Sequence, residues 1–153
     1  MEITICGHSK AAKILADKPG CLDVIMISSP STFFAVKGSE TIIGNAKSYK
    51  LLVFDDIPSV REGFHEPKIE HIQDALDFAQ DKKELIVCCQ AGVSRSSAVA
   101  YVIRAKAVGA YEALSVLNPS VHFPNSMVVE LGSQILKKPD MVELVRIWKT
   151  KVG

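Results

Sequence analysis

The sequence is short of the features that mark membrane, secreted or nucleic-acid-binding chains. Its apolar runs, such as Leu51 to Phe54 and Ala98 to Ile103, fall far short of the roughly 20 residues a spanning helix needs, so no membrane association is expected. Charge of one sign is not in excess: 18 Lys plus Arg against 17 Asp plus Glu leave +1, which argues against a nucleic-acid partner held by bulk charge. Cysteine is sparse and badly spaced for cross-linking. Cys6, Cys21, Cys88 and Cys89 contain no CxxC pair, so reduced thiols are expected rather than disulfides or a zinc site. His8, His65, His71 and His122 form no ligand pattern and read mostly as surface or capping residues, and no metal is expected. The amino terminus carries no basic segment followed by an apolar one, which predicts a cytoplasmic protein. Repeats and low-complexity tracts are absent. What remains is 153 residues, 48% of them hydrophobic, enough for one domain spanning 1–153 around one core.

The apolar pattern alternates between strand and helix. Glu2 to Cys6, Asp23 to Ile27, Lys50 to Phe54 and Leu85 to Cys88 read as strands, the last as a central buried one. Gly7-His8-Ser9 opens a helical pattern with Ala12, Ile14 and Leu15. Between Phe33 and Asn45 at most short edge strands are expected. Pro67 suits a first helical turn, and Ile69, Ile72, Leu76 and Ala79 continue at helical spacing to about Asp81. Ser96 to Val108 is apolar nearly all round, as in a helix buried at the centre. Amphipathic helices follow near Tyr111 to Leu117, Asn125 to Leu136 and Met141 to Trp148. Strands interleaved with helices predict an α/β domain with a central, mainly parallel sheet flanked by helices.

The chemically informative segment is Cys89-Gln-Ala-Gly-Val-Ser-Arg95-Ser96, where a strand runs through a glycine-containing loop into the buried helix. The Cys-x5-Arg spacing alone is a weak signal; its context strengthens it. A loop curled at a helix amino terminus aims successive N–H groups at one point, and the helix dipole adds positive charge there, which makes an oxyanion cradle. Gln90, Ala91, Gly92, Val93 and Ser94 would supply those donors, and Gly92 the backbone freedom. Arg95 can offer a guanidinium fork to two phosphoryl oxygens. The same field favours the thiolate of a cysteine at the loop's start, so Cys89 is the candidate nucleophile towards phosphorus. Ser96 can hydrogen-bond the departing thiolate. Cys88 reads as a small buried hydrophobe.

This loop resembles the signature of the cysteine-dependent protein tyrosine phosphatases, and Ala-Gly-Val-Ser-Arg-Ser is most similar to the dual-specificity branch. Two further stretches agree. Tyr49-Lys-Leu-Leu-Val-Phe-Asp55-Asp56 resembles that branch's strand ending in a general-acid aspartate, with Asp56 33 positions before Cys89. Asn118-Pro-Ser-Val-His-Phe-Pro124-Asn125 is similar to the stretch that precedes a helix under the active site. The resemblance implies the phosphatase fold and a phosphocysteine mechanism without cofactor. Cys89, Arg95, Asp56 and Ser96 would be catalytic, with residues 90 to 95 holding the phosphate. Asp56 is favoured over Asp55 as the acid, and an extended strand end would send the two side chains to opposite faces. The substrates implied are phosphorylated proteins, phosphotyrosine with or without phosphoserine and phosphothreonine, or small phosphomonoesters. The uncharged loop is unlike the lysine-bearing loops of lipid-directed relatives.

One departure stands out: Cys88 occupies the position where the family has histidine. It keeps two rival readings open, a phosphate-binding module with little turnover and a thiol sulfurtransferase or redox protein using Cys88 and Cys89.

Overall fold

Four parallel strands define the centre of the protein: β1 (Glu2–Gly7), β2 (Asp23–Ser28), β3 (Ser48–Val53) and β4 (Glu84–Cys89), in the order β1-β4-β2-β3. The structure, a computed structural model, describes residues 1–30 and 39–152, the last without its side chain. All four strands lie within two residues of the expected positions, and the sheet is parallel throughout.

The period of two along β4 divides its residues between two layers. Leu85, Val87 and Cys89 face one layer, built by α3 (Ile69–Ala79), α4 (Arg95–Val108), α5 (Ser126–Leu136) and α6 (Met141–Val152). Ile86 and Cys88 face the other, built by α1 (His8–Asp17) and α2 (Ser39–Asn45). Helices on both faces bury the inner strands β2 and β4 beyond their first residues, which is why these two are apolar without alternation, while β1 and β3 at the sheet edges stay half-buried. Helix α4 is buried at nearly every position, as its all-round apolar sequence predicts. Against it Gly132 of α5 packs so closely that an added Cβ would lie 2.5 Å from the Val102 side chain.

Three local expectations are corrected. Helix α2 stands where only edge strands were expected: Ile42 is fully buried in the α1-side layer, and that burial outweighs the β-propensity of Ile42-Ile43. Residues 33–38 of the same stretch lie outside the described residues. Pro67 precedes the first turn of α3 instead of occupying it, because Lys68 is the cap and donates its N–H to His71 Nδ1 (2.9 Å). The segment after α4 is a 3₁₀ turn, Glu112–Val116, rather than an amphipathic α-helix. Among the described residues no helix is long and apolar enough to cross a membrane.

Candidate active site

Parallel strands bring all their carboxyl ends to one edge, and the segments leaving that edge build a cavity of about 600 Å³. Strand β4 delivers Cys89 and the loop to Arg95; β2 delivers Ser29; β3 is followed by Asp55 and Asp56. All of these residues line the cavity, with Phe64 at its wall.

The loop's shape depends on two glycines. Gly92 has φ +74°, and a Cβ there would lie 2.4 Å from the backbone of Cys6 and Gly7. Gly7 meets it from the other side, where a Cβ would come within 3.0 Å of Gln90 O. Together they let the loop lie directly on the end of β1. The stretch before α5 braces the loop's outer side: Phe123 N–H donates to Val93 O (2.9 Å) and Asn125 N–H to Ser94 O (3.1 Å).

Cys89 is buried, and its Sγ accepts the Gly92 N–H at 3.3 Å and shares a hydrogen bond with Ser96 Oγ at 3.1 Å. Both contacts stabilise negative charge on sulfur when the hydroxyl is the donor. Arg95 is 5% exposed and has no carboxylate in ion-pair range among the described residues. Its Nη1 donates to Ser29 Oγ (2.9 Å) and Phe54 O (2.8 Å), while its buried Nε has no partner among those residues. A buried guanidinium so arranged is fixed in place with part of its donor fork unused, which suits an oxyanion.

The two aspartates differ in their partners. β3 ends at Val53, so the alternation of a strand does not govern them, and contrary to expectation both reach the cavity. Asp55 Oδ2 accepts the His65 N–H (2.7 Å) and lies 3.5 Å from His65 Nδ1, tying down the loop that carries Phe64. Asp56 Oδ1 accepts from Ser94 Oγ (2.7 Å) and Asn125 Nδ2 (2.8 Å), which holds this carboxylate against the loop from Cys89 to Arg95 and leaves Oδ2 without a donor among the described residues. Asn125 also caps α5 through Val128 N–H and donates to Ile57 O, so cap and brace are one residue.

Cys88 is fully buried on the opposite face, in register with Cys6 of β1. Burial pushes its thiol well above the ordinary range, and Cys6 is pushed up to about 11 for the same reason.

Sequence reasoning missed His8. Of the histidines, His71 and His122 do cap backbone groups, although His122 is buried, but His8 is 2% exposed with Nε2 2.9 Å from Ile27 O. A lone histidine after glycine at a helix start looks like any first-turn residue, so only the tertiary packing reveals it.

The layered parallel sheet with its helices has the fold of solved dual-specificity and tyrosine phosphatase structures. No protein-family model and no curated protein matches the sequence. Solved structures do. The chain is similar to the human tyrosine phosphatase-like serine/threonine/tyrosine-interacting protein, at 18% identity over 87% of this chain and 89% of that one with a TM-score of 0.65. It is also similar to a mouse putative dual specificity phosphatase complexed with zinc tungstate (18% identity, 94% and 85% covered, TM-score 0.57) and to PTPMT1 in complex with PI(5)P (13%, 99% and 92%, TM-score 0.56).

Proposed function

We propose that this protein is a single-domain enzyme hydrolysing phosphate monoesters through a phosphocysteine intermediate, with phosphotyrosine-bearing proteins or small aryl phosphates as substrates. The observation that carries the reading is Arg95, a buried cation without a carboxylate partner among the described residues, held by Ser29 and Phe54 beside Cys89 with its Nε unpartnered. An oxyanion seated there would meet that guanidinium edge and the N–H groups of Gln90 to Arg95.

Cys89 Sγ attacks phosphorus in line with the leaving oxygen, forming the S–P bond as the P–O bond breaks. Asp56 Oδ2 gives that oxygen its proton. Asp56, now a carboxylate, then takes a proton from water as the water oxygen attacks phosphorus, and the S–P bond breaks to release phosphate and thiolate. Ser96 donates to the departing sulfur. The hydrogen bonds from Ser94 and Asn125 to Asp56 Oδ1 support this role, because they couple the acid to the loop that holds the phosphate. Asp55, committed to His65, supports the wall.

The test is burst kinetics with an aryl phosphate and trapping of the phosphorylated protein. A burst matching the enzyme concentration, absent in Cys89→Ser, is expected. Oxyanion binding without burst or turnover would favour the binding-module reading, which the cysteine at position 88 motivates. The dithiol reading loses ground to geometry: Cys88 and Cys89 pack in opposite layers.

A further inference from the structure

The edge that carries Arg95 has a second buried nitrogen base. His8 begins α1 at the carboxyl end of β1, and its neighbour Gly7 lies against the backbone of Gln90 and Ala91. The ring is tied by Nε2 to Ile27 O, one residue before Ser28 and two before Ser29, the Arg95 partner. With Nε2–H donating to that carbonyl, Nδ1 carries a lone pair, and it is buried without a partner among the described residues. Three buried polar atoms lack partners among those residues, His8 Nδ1, Ser28 Oγ and Arg95 Nε, and all belong to this one edge.

The charge balance gives that arrangement a use. A phosphoryl dianion would face one full protein cation, Arg95, plus the partial charge of a helix amino terminus, about half a unit. In a buried setting the uncompensated negative charge is costly and favours any nearby base taking up a proton. We propose that His8 is a second, recruitable cation of the anion site: neutral in the free protein, it takes a proton from solvent when a tetrahedral dianion binds against Arg95. The proposal rests on the anion site that Arg95 and the Cys89 loop form, not on the hydrolytic step.

The environment fits both states. Burial and the Arg95 cation hold the His8 ring below its ordinary range, so it is neutral near pH 7 in the free protein. Among the described residues the charged or titratable groups at this edge are Arg95 and Cys89 from the loop, Cys6 and Lys10 from its own segment, and Asp55 and Asp56 on the cavity wall. β2 offers only Ile27, Ser28 and Ser29, and Glu40 of α2 is exposed. A bound dianion is therefore the largest new charge the ring can encounter.

Sulfate is the probe, because it remains dianionic between pH 6 and 8, and Cys89→Ser puts a hydroxyl that stays neutral there in the thiol's place. The histidine ring signals of that protein are followed by NMR against pH with and without saturating sulfate. Sulfate is expected to raise the His8 midpoint by about one pH unit or more, and sulfate affinity should correspondingly rise several-fold on going from about pH 8 to 6, towards a limit of about tenfold per unit of midpoint rise that is reached only below the free-protein midpoint. His8→Gln added to that protein retains a donor for Ile27 O but no base. It should match the parent's affinity at high pH and lose the gain. An unmoved ring midpoint, or an equal gain in His8→Gln, overturns the proposal. If His8→Gln fails to fold, the ring titration of the parent decides alone. Sulfate binding that titrates His8 in a chain without phosphatase turnover would keep this inference and reject hydrolysis. Turnover with a silent His8 would do the reverse, and no sulfate binding at all would overturn both.

Discussion

Cys88 and Cys89 are joined by one peptide bond and live in different parts of the molecule. Cys88 lies in the layer of α1 and α2, walled by Val24, Met26 and Ile86, where burial makes its ionisation costly. Cys89 ends the same strand on the other face, and its sulfur receives Gly92 N–H and contacts Ser96 Oγ. Asp55 and Asp56 repeat the contrast at the end of β3, one tied to His65 and the other to the loop through Ser94 and Asn125. Identical side chains one residue apart thus receive separate surroundings, the cysteines from strand alternation and the aspartates from the loops that pack beyond the strand end. Residue type gives the chemistry available, and backbone placement decides which copy can use it.

The hardest test of the cysteine contrast is activity. Cys89→Ser should abolish turnover while oxyanion binding survives, because serine keeps the cradle but offers no thiolate. Cys88→Ser should keep most of the turnover. Full activity in Cys89→Ser, or complete loss in a folded Cys88→Ser, would erase the difference.

The aspartate contrast is the next largest. Asp56→Asn should lower kcat by about 10²–10⁴, the usual weight of general acid catalysis, and remove the basic limb of the kcat profile where leaving-group protonation limits the rate. Asp55→Asn should do neither. The Asp56→Asn defect should soften with an activated aryl phosphate relative to phenyl phosphate. Swapped results would exchange the roles.

These divisions were legible in the sequence to different depths. Strand positions and the central α4 follow from apolar runs that the two helical layers bury. The loop was legible because Gly92 and Arg95 stand at the spacing an anion cradle uses, and the structure shows Gly92 to be sterically irreplaceable against β1. Asp55 and Asp56 were harder: their alternation argument assumed a strand that stops at Val53. Asn125 caps α5 locally, yet its bond to Asp56 links residues 69 positions apart and has no local signal. His8 and helix α2 were illegible for the same reason. Each is defined by the groups it meets in the fold, Ile27 O for one, α1 for the other, and neither breaks a local rule.

Stability separates the two cysteines more gently. Cys88→Ser puts a hydroxyl into an apolar layer, so it should cost about 1–3 kcal/mol in urea unfolding if the hydroxyl finds no partner. A neutral result would mean that the β1–β4 face accepts polar groups, and the contrast with the cavity side would narrow.

The smallest expected effect extends the contrast to the histidines. His8 and His122 are both held below the ordinary value of 6.5, each chiefly by burial, His8 secondarily by Arg95 and His122 by Lys149. In the unfolded chain each binds a proton near 6.5; in the folded chain each does so only at lower pH. As pH falls through 6.5 the unfolded state therefore binds more protons, and the folded state loses stability until the folded-state values are passed. Without oxyanion, thermal stability should thus decline from about pH 7.5 to 5.5. His122→Asn preserves an acceptor for Asn118 N–H but cannot take the proton, so it should flatten part of this slope even if it lowers stability throughout. A variant slope as steep as the parent's would show that His122 titrates alike in both states. The acid loss would then belong to His8, to His71, whose ring is also shifted down by burial, or to the carboxylates.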